Sequence, residues 1–76
     1  CTVKYKLKNV NMHEIPIKQV VEEFDNDTAI IVGEFSNDFF AVQHMLSFGS
    51  DCTVIEPAHI KESVIEQLME IRRVYE

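Results

Sequence analysis

The sequence contains no tryptophan and only two glycines, two prolines and two cysteines among its 76 residues. Cys1 and Cys52 lie too far apart for a CxxC metal pair and are too few for a disulfide framework, so we expect a reducing, cytoplasmic environment. Gly33 and Gly49 form no glycine-rich motif that binds phosphate. No apolar run reaches the roughly 20 residues that cross a bilayer. The sequence therefore lacks the features typical of disulfide-rich domains, of glycine-rich nucleotide-binding loops and of membrane-spanning proteins.

Hydrophobic residues make up 46% of the chain and charged residues 26%, which is typical of a globular domain. A chain of this size buries only about 60% of its unfolded surface, so we expect a single domain, residues 1–76, of marginal stability. Because the chain begins with Cys1 rather than Met, we also expect it to be part of a larger protein.

Cations are scarce as well, since 7 Lys and Arg stand against 13 Asp and Glu, a formal net charge of −6. This balance argues against nucleic-acid binding by the domain as a whole, because phosphate contacts require clustered cations. Lys4, Lys6 and Lys8 are the exception, because they alternate along one side of the first predicted strand. They form a candidate anion contact completed by neighbouring domains, and the alternative is a solvated strand face.

The first half of the chain is predicted to be mostly strand. TVKYKLK (residues 2–8) alternates between apolar and polar residues, as a half-buried strand does. Pro16 limits the next segment to a short helical turn. Residues 19–35 indicate a hairpin, because the turn-forming residues 25–27 separate QVVEEF from the β-prone TAIIVGEF.

A short helix is predicted to follow the hairpin. Residues 36–38 supply N-cap side chains, and Gly49 is placed to act as a left-handed C-terminal cap. Between them, apolar residues recur at helical spacing: Phe39, Val42, Met45 and Leu46.

The last third is predicted to form a strand and a longer helix. The strand is DCTVIE (residues 51–56), and Pro57 is expected at the first position of the helix, where proline is favoured. The helix has the clearest amphipathic pattern in the chain, with apolar residues at Ile60, Val64, Leu68, Ile71 and Tyr75.

These elements predict an α+β fold. The simplest arrangement is a ferredoxin-like βαββαβ sandwich with an added C-terminal helix, in which the first helix is short or missing.

The stretch LSFGSDCTVIEP, followed by HIKESVIEQL and a late Tyr75, resembles the end of WYL-domain bacterial transcriptional regulators. The resembling segment is the WYL C-terminal extension, or WCX. The resemblance covers residues 36–76 and extends to the hairpin at 19–35, but the family has a full helix where this chain has Pro16. It implies a ferredoxin-like module that contributes to dimerisation and to the regulation of a DNA-binding protein. DNA would be bound by upstream domains that this chain does not contain, so no residue role is implied for them.

The sequence predicts no catalytic, cofactor or metal site. His13, His44 and His59 have no ligand-like spacing. Cys52 lies in a β-branched strand and is expected to be a buried, inert thiol. A further group of acidic residues is expected to be a solvated turn rather than a cation site: Glu22, Glu23, Asp25 and Asp27.

The strand TAIIVGEF is apolar on both faces, with Ile30 and Val32 on the second face. Either the C-terminal helix covers this second face, or the face meets another domain or subunit. We therefore treat Ile30 and Val32 as a candidate interface.

Taken with the resemblance, these patterns predict a non-catalytic regulatory and dimerisation module. We expect a homodimer in the full-length protein, a nucleotide or small-molecule effector, no cofactor and no membrane contact. The alternative is a small-molecule sensor that resembles the ACT type, and an enzyme is disfavoured because paired catalytic groups are absent.

Overall fold

The central strand β1 (Thr2–Lys8) organises the domain in the computed structural model, which describes residues 1–76. Val3, Tyr5 and Leu7 are completely buried, whereas the polar residues between them lie on the other side of the strand. The alternation predicted for this segment is therefore confirmed.

A single 3₁₀ turn (Val10–Met12) follows β1 and confirms the short helical turn expected before Pro16. Asp27 holds this turn in place. The backbone N–H of Val10 donates to the Asp27 carbonyl at 3.0 Å, and the N–H of Asn11 donates to the Asp27 side chain at 3.2 Å. The turn is thus fixed to the tip of the hairpin that comes next.

That hairpin consists of β2 (Val20–Asp25) and β3 (Thr28–Glu34), as predicted. Its two-residue connection places Asn26 at φ 47° and Asp27 at φ 66°. Two successive residues with positive φ form a type I′ turn, whose twist matches that of the paired strands. Asn and Asp tolerate this conformation better than most residues.

The four strands form one antiparallel sheet with the order β2-β3-β1-β4, where β4 is Cys52–Glu56. Tyr5 pairs with Ile31 on one side and with Val54 on the other, so these three side chains share a face. We call this the inner face, and we call the opposite one the outer face.

Helix α1 (Asp38–Ser47) begins at Asn37, whose side chain accepts a hydrogen bond from the Phe40 N–H at 2.9 Å. The predicted buried face of this helix is partly wrong, because Phe39 is 66% exposed. The residues that pack are Ala41, Val42 and Met45. Because Ala41 is small, that side of the helix can approach the sheet closely, which turns Phe39 outward.

Gly49 directly follows the α1 C-cap residue Phe48 and has φ 65°, as a left-handed C-terminal cap requires. A short 3₁₀ turn (Gly49–Asp51) then leads into β4, whose position agrees with the predicted strand.

Helix α2 (Ala58–Val74) begins one residue later than predicted. Pro57 has extended backbone angles and is the N-cap, and its carbonyl accepts hydrogen bonds from the N–H groups of Ile60 and Lys61, both at 3.2 Å. The prediction that Pro57 occupies the first helical position is therefore wrong by one residue. The prediction that the helix starts at this proline is confirmed.

The predicted apolar stripe of α2 is buried only at its start. Ile60 is fully buried and Val64 partly buried, but Leu68 is 52% and Tyr75 86% exposed. The reason is length: the 17 residues of α2 span about 25 Å, whereas the five residues of β4 beneath it span about 17 Å. The second half of the helix therefore extends beyond the sheet.

Both helices pack on the inner face, where a single cluster of 12 buried hydrophobic residues forms the core. The fold is thus a small α+β domain with a four-stranded antiparallel sheet and two helices. Neither helix combines the length and apolar character that crossing a bilayer would need.

Replacing Gly49 by alanine should lower the free energy of unfolding by about 1 kcal/mol or more, because a β-carbon is strained at positive φ. No atom lies within 4 Å of the position of the new β-carbon, so the loss would come from the backbone and not from a clash. Gly49→Asn is the matched control, since asparagine tolerates this region. Urea midpoints of the three proteins measure the effect, and an unchanged midpoint for Gly49→Ala would contradict the cap.

Candidate functional site

A partly buried polar cluster lies at the edge of the core on the inner face and centres on Tyr5. The Tyr5 side chain is fully buried, and its hydroxyl donates a hydrogen bond to Gln19 Oε1. Its ring stacks on Phe48 with the centroids 5.7 Å apart. Burial raises the pKa of the Tyr5 phenol well above its usual value, so the hydroxyl stays protonated and remains a donor.

Gly33 makes room for Gln19. A β-carbon at position 33 would lie 2.7 Å from Gln19 Cδ, which is closer than the non-bonded contacts that β-carbons make in proteins. Because Gly33 has no side chain, the Gln19 amide can lie against β3 at this position and reach the Tyr5 hydroxyl. A glycine inside a strand often marks such a close approach.

His44 of α1 completes the polar cluster, because its Nε2 lies 3.4 Å from Gln19 Nε2. The Gln19 amide nitrogen is a donor, so His44 Nε2 must accept, which requires the neutral imidazole. Burial also lowers the pKa of His44 and favours the same neutral form. The His44 ring packs edge-on against Phe48 and lies 5.2 Å from the Phe35 ring.

A second polar connection joins the two 3₁₀ turns. His13 Nε2 lies 2.8 Å from one carboxylate oxygen of Asp51, and Asn9 Nδ2 donates to the other at 3.1 Å. The hydrogen bond from His13 is the main reason that the pKa of Asp51 lies below its usual value. The third histidine, His59, is elsewhere and contacts Asp38 at 3.2 Å. The three histidines thus occupy three separate settings.

The lysine row of β1 lies on the outer face together with Ile30 and Val32, because Lys4 pairs with Val32 and Lys6 pairs with Ile30. Lys4 also forms an ion pair with Glu22 at 3.2 Å.

Acidic residues of the hairpin lie beside the other two lysines. They share an open depression of about 670 Å³ whose charged and polar lining includes Lys6, Lys8, Glu23, Asp25 and Thr28. The outer face therefore presents both signs of charge, and the anion contact predicted for the lysines stays a prediction.

Ile30 and Val32 are half-buried on this outer face. Of the two alternatives considered for them, coverage by the C-terminal helix is wrong, because α2 packs against β4 and α1 on the inner face. An interface through Ile30 and Val32 stays a prediction.

The exposed half of α2 is a second apolar surface, which we call the α2 stripe. It continues the line of Ile60 and Val64 along one side of the helix and comprises Leu68, Ile71 and Tyr75. A groove of about 230 Å³ lies between β4 and the same helix, and its apolar lining consists of Cys52, Val54, Val64, Ile65 and Leu68. The periodicity predicted the stripe, but not that half of it is exposed.

Cys52 lies on β4 with its sulfur 3.6 Å from the sulfur of Met45. Burial raises the pKa of the Cys52 thiol to about 12, so at neutral pH it is protonated and not a nucleophile. This environment agrees with the inert thiol expected from the sequence.

Sequence reasoning missed the polar cluster of Tyr5, Gln19 and His44. Two signals pointed to it: a tyrosine on the buried side of β1 needs a partner for its hydroxyl, and Gly33 interrupts an otherwise apolar strand. Neither signal identifies Gln19, which lies 14 residues from Tyr5 along the chain.

Comparison with known protein families identifies one match. Residues 6–72 match the family model of the WCX domain, a span that runs from the middle of β1 into the last turns of α2. No curated protein matches the chain. The resemblance of LSFGSDCTVIEP and the residues around it to the WCX segment is therefore confirmed over most of the chain.

Gly33→Ala should displace Gln19 from Tyr5 and destabilise the fold by about 1–3 kcal/mol, the cost of a buried hydroxyl that has lost its partner. Gln19→Ala removes the same hydrogen bond directly, so the two effects should not add. In the Gln19→Ala background, Gly33→Ala should cost close to nothing. Chemical denaturation of the four proteins measures this cycle, and additive losses would show that Gly33 does not act through Gln19.

The stability of the domain should fall as the pH drops below 6.5, the ordinary pKa of a histidine such as His44. The folded state holds His44 at a lower pKa, so it binds fewer protons than the unfolded state, and acid favours unfolding until the folded pKa is passed. His44→Gln should make the dependence shallower between about pH 7 and about pH 5. Parallel curves of unfolding free energy against pH for the two proteins would contradict this role of His44.

Proposed function

The chain belongs to the WCX domain family, and from this premise we propose that it is the regulatory and dimerisation module of a WYL-domain transcriptional regulator. In this proposal the module binds no DNA itself, and DNA is contacted by other domains of the same protein. The net charge of −6 supports that division, because a strongly acidic domain is repelled by phosphates.

The proposed architecture is a reduced ferredoxin-like layout. The strand order β2-β3-β1-β4 and the antiparallel pairing support it. The 3₁₀ turn at Val10–Met12 occupies the place of the first helix, and α2 is the added C-terminal helix. This reduction leaves the inner side of β2 without a helix above it, and Phe24 there is exposed.

The α2 stripe is the observation that carries the dimerisation proposal. Leu68, Ile71 and Tyr75 continue a line of residues whose first members are already in the core, so the helix is amphipathic well beyond its own sheet. A second copy is the simplest occupant, because a two-fold axis lets one stripe cover the same stripe of the partner. The hydrophobic effect then favours association, since each copy removes apolar area from water.

The stripe also avoids the charges that would oppose association. The arginines of the last turn are both paired, Arg73 with Glu70 of the same helix at 3.1 Å and Arg72 with Glu76 just beyond its end at 3.0 Å. Arg72 lies four residues after Leu68 and borders the apolar line, whereas the Glu70–Arg73 pair lies on the opposite side of the helix. The Arg72–Glu76 pair can therefore form part of a polar rim around an apolar contact, which is the usual composition of an interface.

An effector contact on the outer face is the second part of the proposal. Lys6 and Lys8 line the depression of about 670 Å³ and could meet a nucleotide or another anion. Glu23 and Asp25 line the same depression and oppose an anion there. The contact would therefore need cations from a neighbouring domain, which fits a module that acts only within the full regulator.

Leu68→Lys should shift the dimer towards monomer and leave the fold intact, because Leu68 is already exposed in the single chain. Glu66→Gln is the matched control, since it changes the net charge by the same amount on the opposite side of α2. Analytical ultracentrifugation over a range of concentrations measures association, and circular dichroism on the same samples measures folding.

Val32→Lys tests the outer face in the same experiment. If Leu68→Lys alone weakens association, the α2 stripe is the interface. If Val32→Lys alone does so, the interface predicted for Ile30 and Val32 is correct and the α2 proposal is wrong.

A further inference from the structure

Three side chains with different metal-binding chemistry meet where β1, α1 and α2 begin. They are the thiol of Cys1, the carboxylate of Asp38 and the imidazole of His59, whose ligand atoms all lie within 4.8 Å of one another. The residues are distant in sequence and lie at the starts of β1, α1 and α2. Spacing along the chain could not have revealed this group.

The backbone at or next to each of these positions is held by hydrogen bonds. Cys1 exchanges two with Phe35, since its N donates to the Phe35 carbonyl at 3.0 Å and its carbonyl accepts from the Phe35 N–H at 2.7 Å. Asp38 follows the N-cap residue Asn37 of α1. His59 lies in the first turn of α2, which the Pro57 carbonyl anchors. The side chains are therefore free to adjust, whereas the distances between their backbones are set by the fold.

The spacing of the polar ligand atoms fits a transition-metal ion. Asp38 Oδ2 and His59 Nε2 are 3.2 Å apart. Two such ligands at about 2.0–2.1 Å from a tetrahedral zinc ion lie about 3.3 Å apart, and a thiolate at about 2.3 Å lies about 3.6 Å from each. A cation could thus be bound by small side-chain movements alone.

We propose that Cys1, Asp38 and His59 bind a divalent transition-metal ion of the zinc type, with the fourth position open to solvent. A thiolate and an imidazole favour zinc-like ions over calcium or magnesium, which prefer oxygen ligands. The thiolate and the carboxylate together carry two negative charges, which balance the charge of the ion. Asp38 and His59 have side chains 60% and 59% exposed, so the ion can enter from solvent.

A bound ion would join the sheet to both helices at their first turns. Because it would bind the folded chain and not the unfolded one, it would raise the stability in proportion to the logarithm of its free concentration. The α2 stripe lies at the opposite end of α2, so metal binding and association can be tested separately.

The test uses cobalt(II) as a spectroscopic probe, added to the full chain under reducing conditions. Binding should produce the cobalt–thiolate charge-transfer band and the visible bands of a tetrahedral site, and zinc should displace cobalt. Cys1→Ser should abolish the charge-transfer band, and Asp38→Asn or His59→Asn should each weaken binding at least tenfold. Circular dichroism should show that all three variants remain folded, because the three side chains are exposed.

Matched controls come from the same chain. Cys52→Ser and His13→Asn remove the same ligand types elsewhere and should leave cobalt binding unchanged. A variant with one residue added before Cys1 converts its amine to an amide and should still bind, which excludes the amine as the essential ligand. Three results would each overturn the proposal: no thiolate band, a band that depends on Cys52, or an affinity that Asp38→Asn and His59→Asn leave unchanged.

Discussion

The hydrogen bond between the Tyr5 hydroxyl and Gln19 is the interaction on which the rest of this structure depends. Tyr5 lies on a central strand, pairs with both neighbouring strands and is fully buried, so its hydroxyl must find a partner inside the protein. That partner comes from Gln19, just before β2, and Gly33 is the residue that lets it approach. One bond thus links the centre of the sheet to the segment that connects β1 to β2.

The connection between β1 and β2 contains only a single 3₁₀ turn, which explains the other polar contacts on this side of the sheet. A full helix would cover the inner face with apolar residues, but a single 3₁₀ turn has too few side chains to do so. His13 and Asn9 instead fix the turn to Asp51, and the Phe48 ring lies against both Tyr5 and His13. Polar bonds are directional, so they define the path of a segment that apolar packing alone would leave poorly specified.

Much of the fold was predictable from the sequence because the signals were local. Alternation placed β1, and the cap at Asn37 together with Gly49 bounded α1 within a residue or two. The burial of α2 was not predictable, because periodicity shows which side of a helix is apolar but not how far the sheet beneath it extends.

Local signals also could not predict the polar cluster or the group of Cys1, Asp38 and His59. Each joins residues that only the tertiary structure brings together.

The domain leaves many of its large apolar side chains exposed to water, which favours contact with a partner. Its core holds 12 buried hydrophobic residues, yet the α2 stripe and the uncovered side of β2 leave other large apolar side chains in water. In the proposed dimer, covering them on a partner would add burial that a domain of this size lacks, so association and folding would be energetically coupled. Separating the two copies of such a dimer would then also lower the stability of each copy. Under the proposed function, such coupling would let the module convert a change in its contacts into a change in its own order.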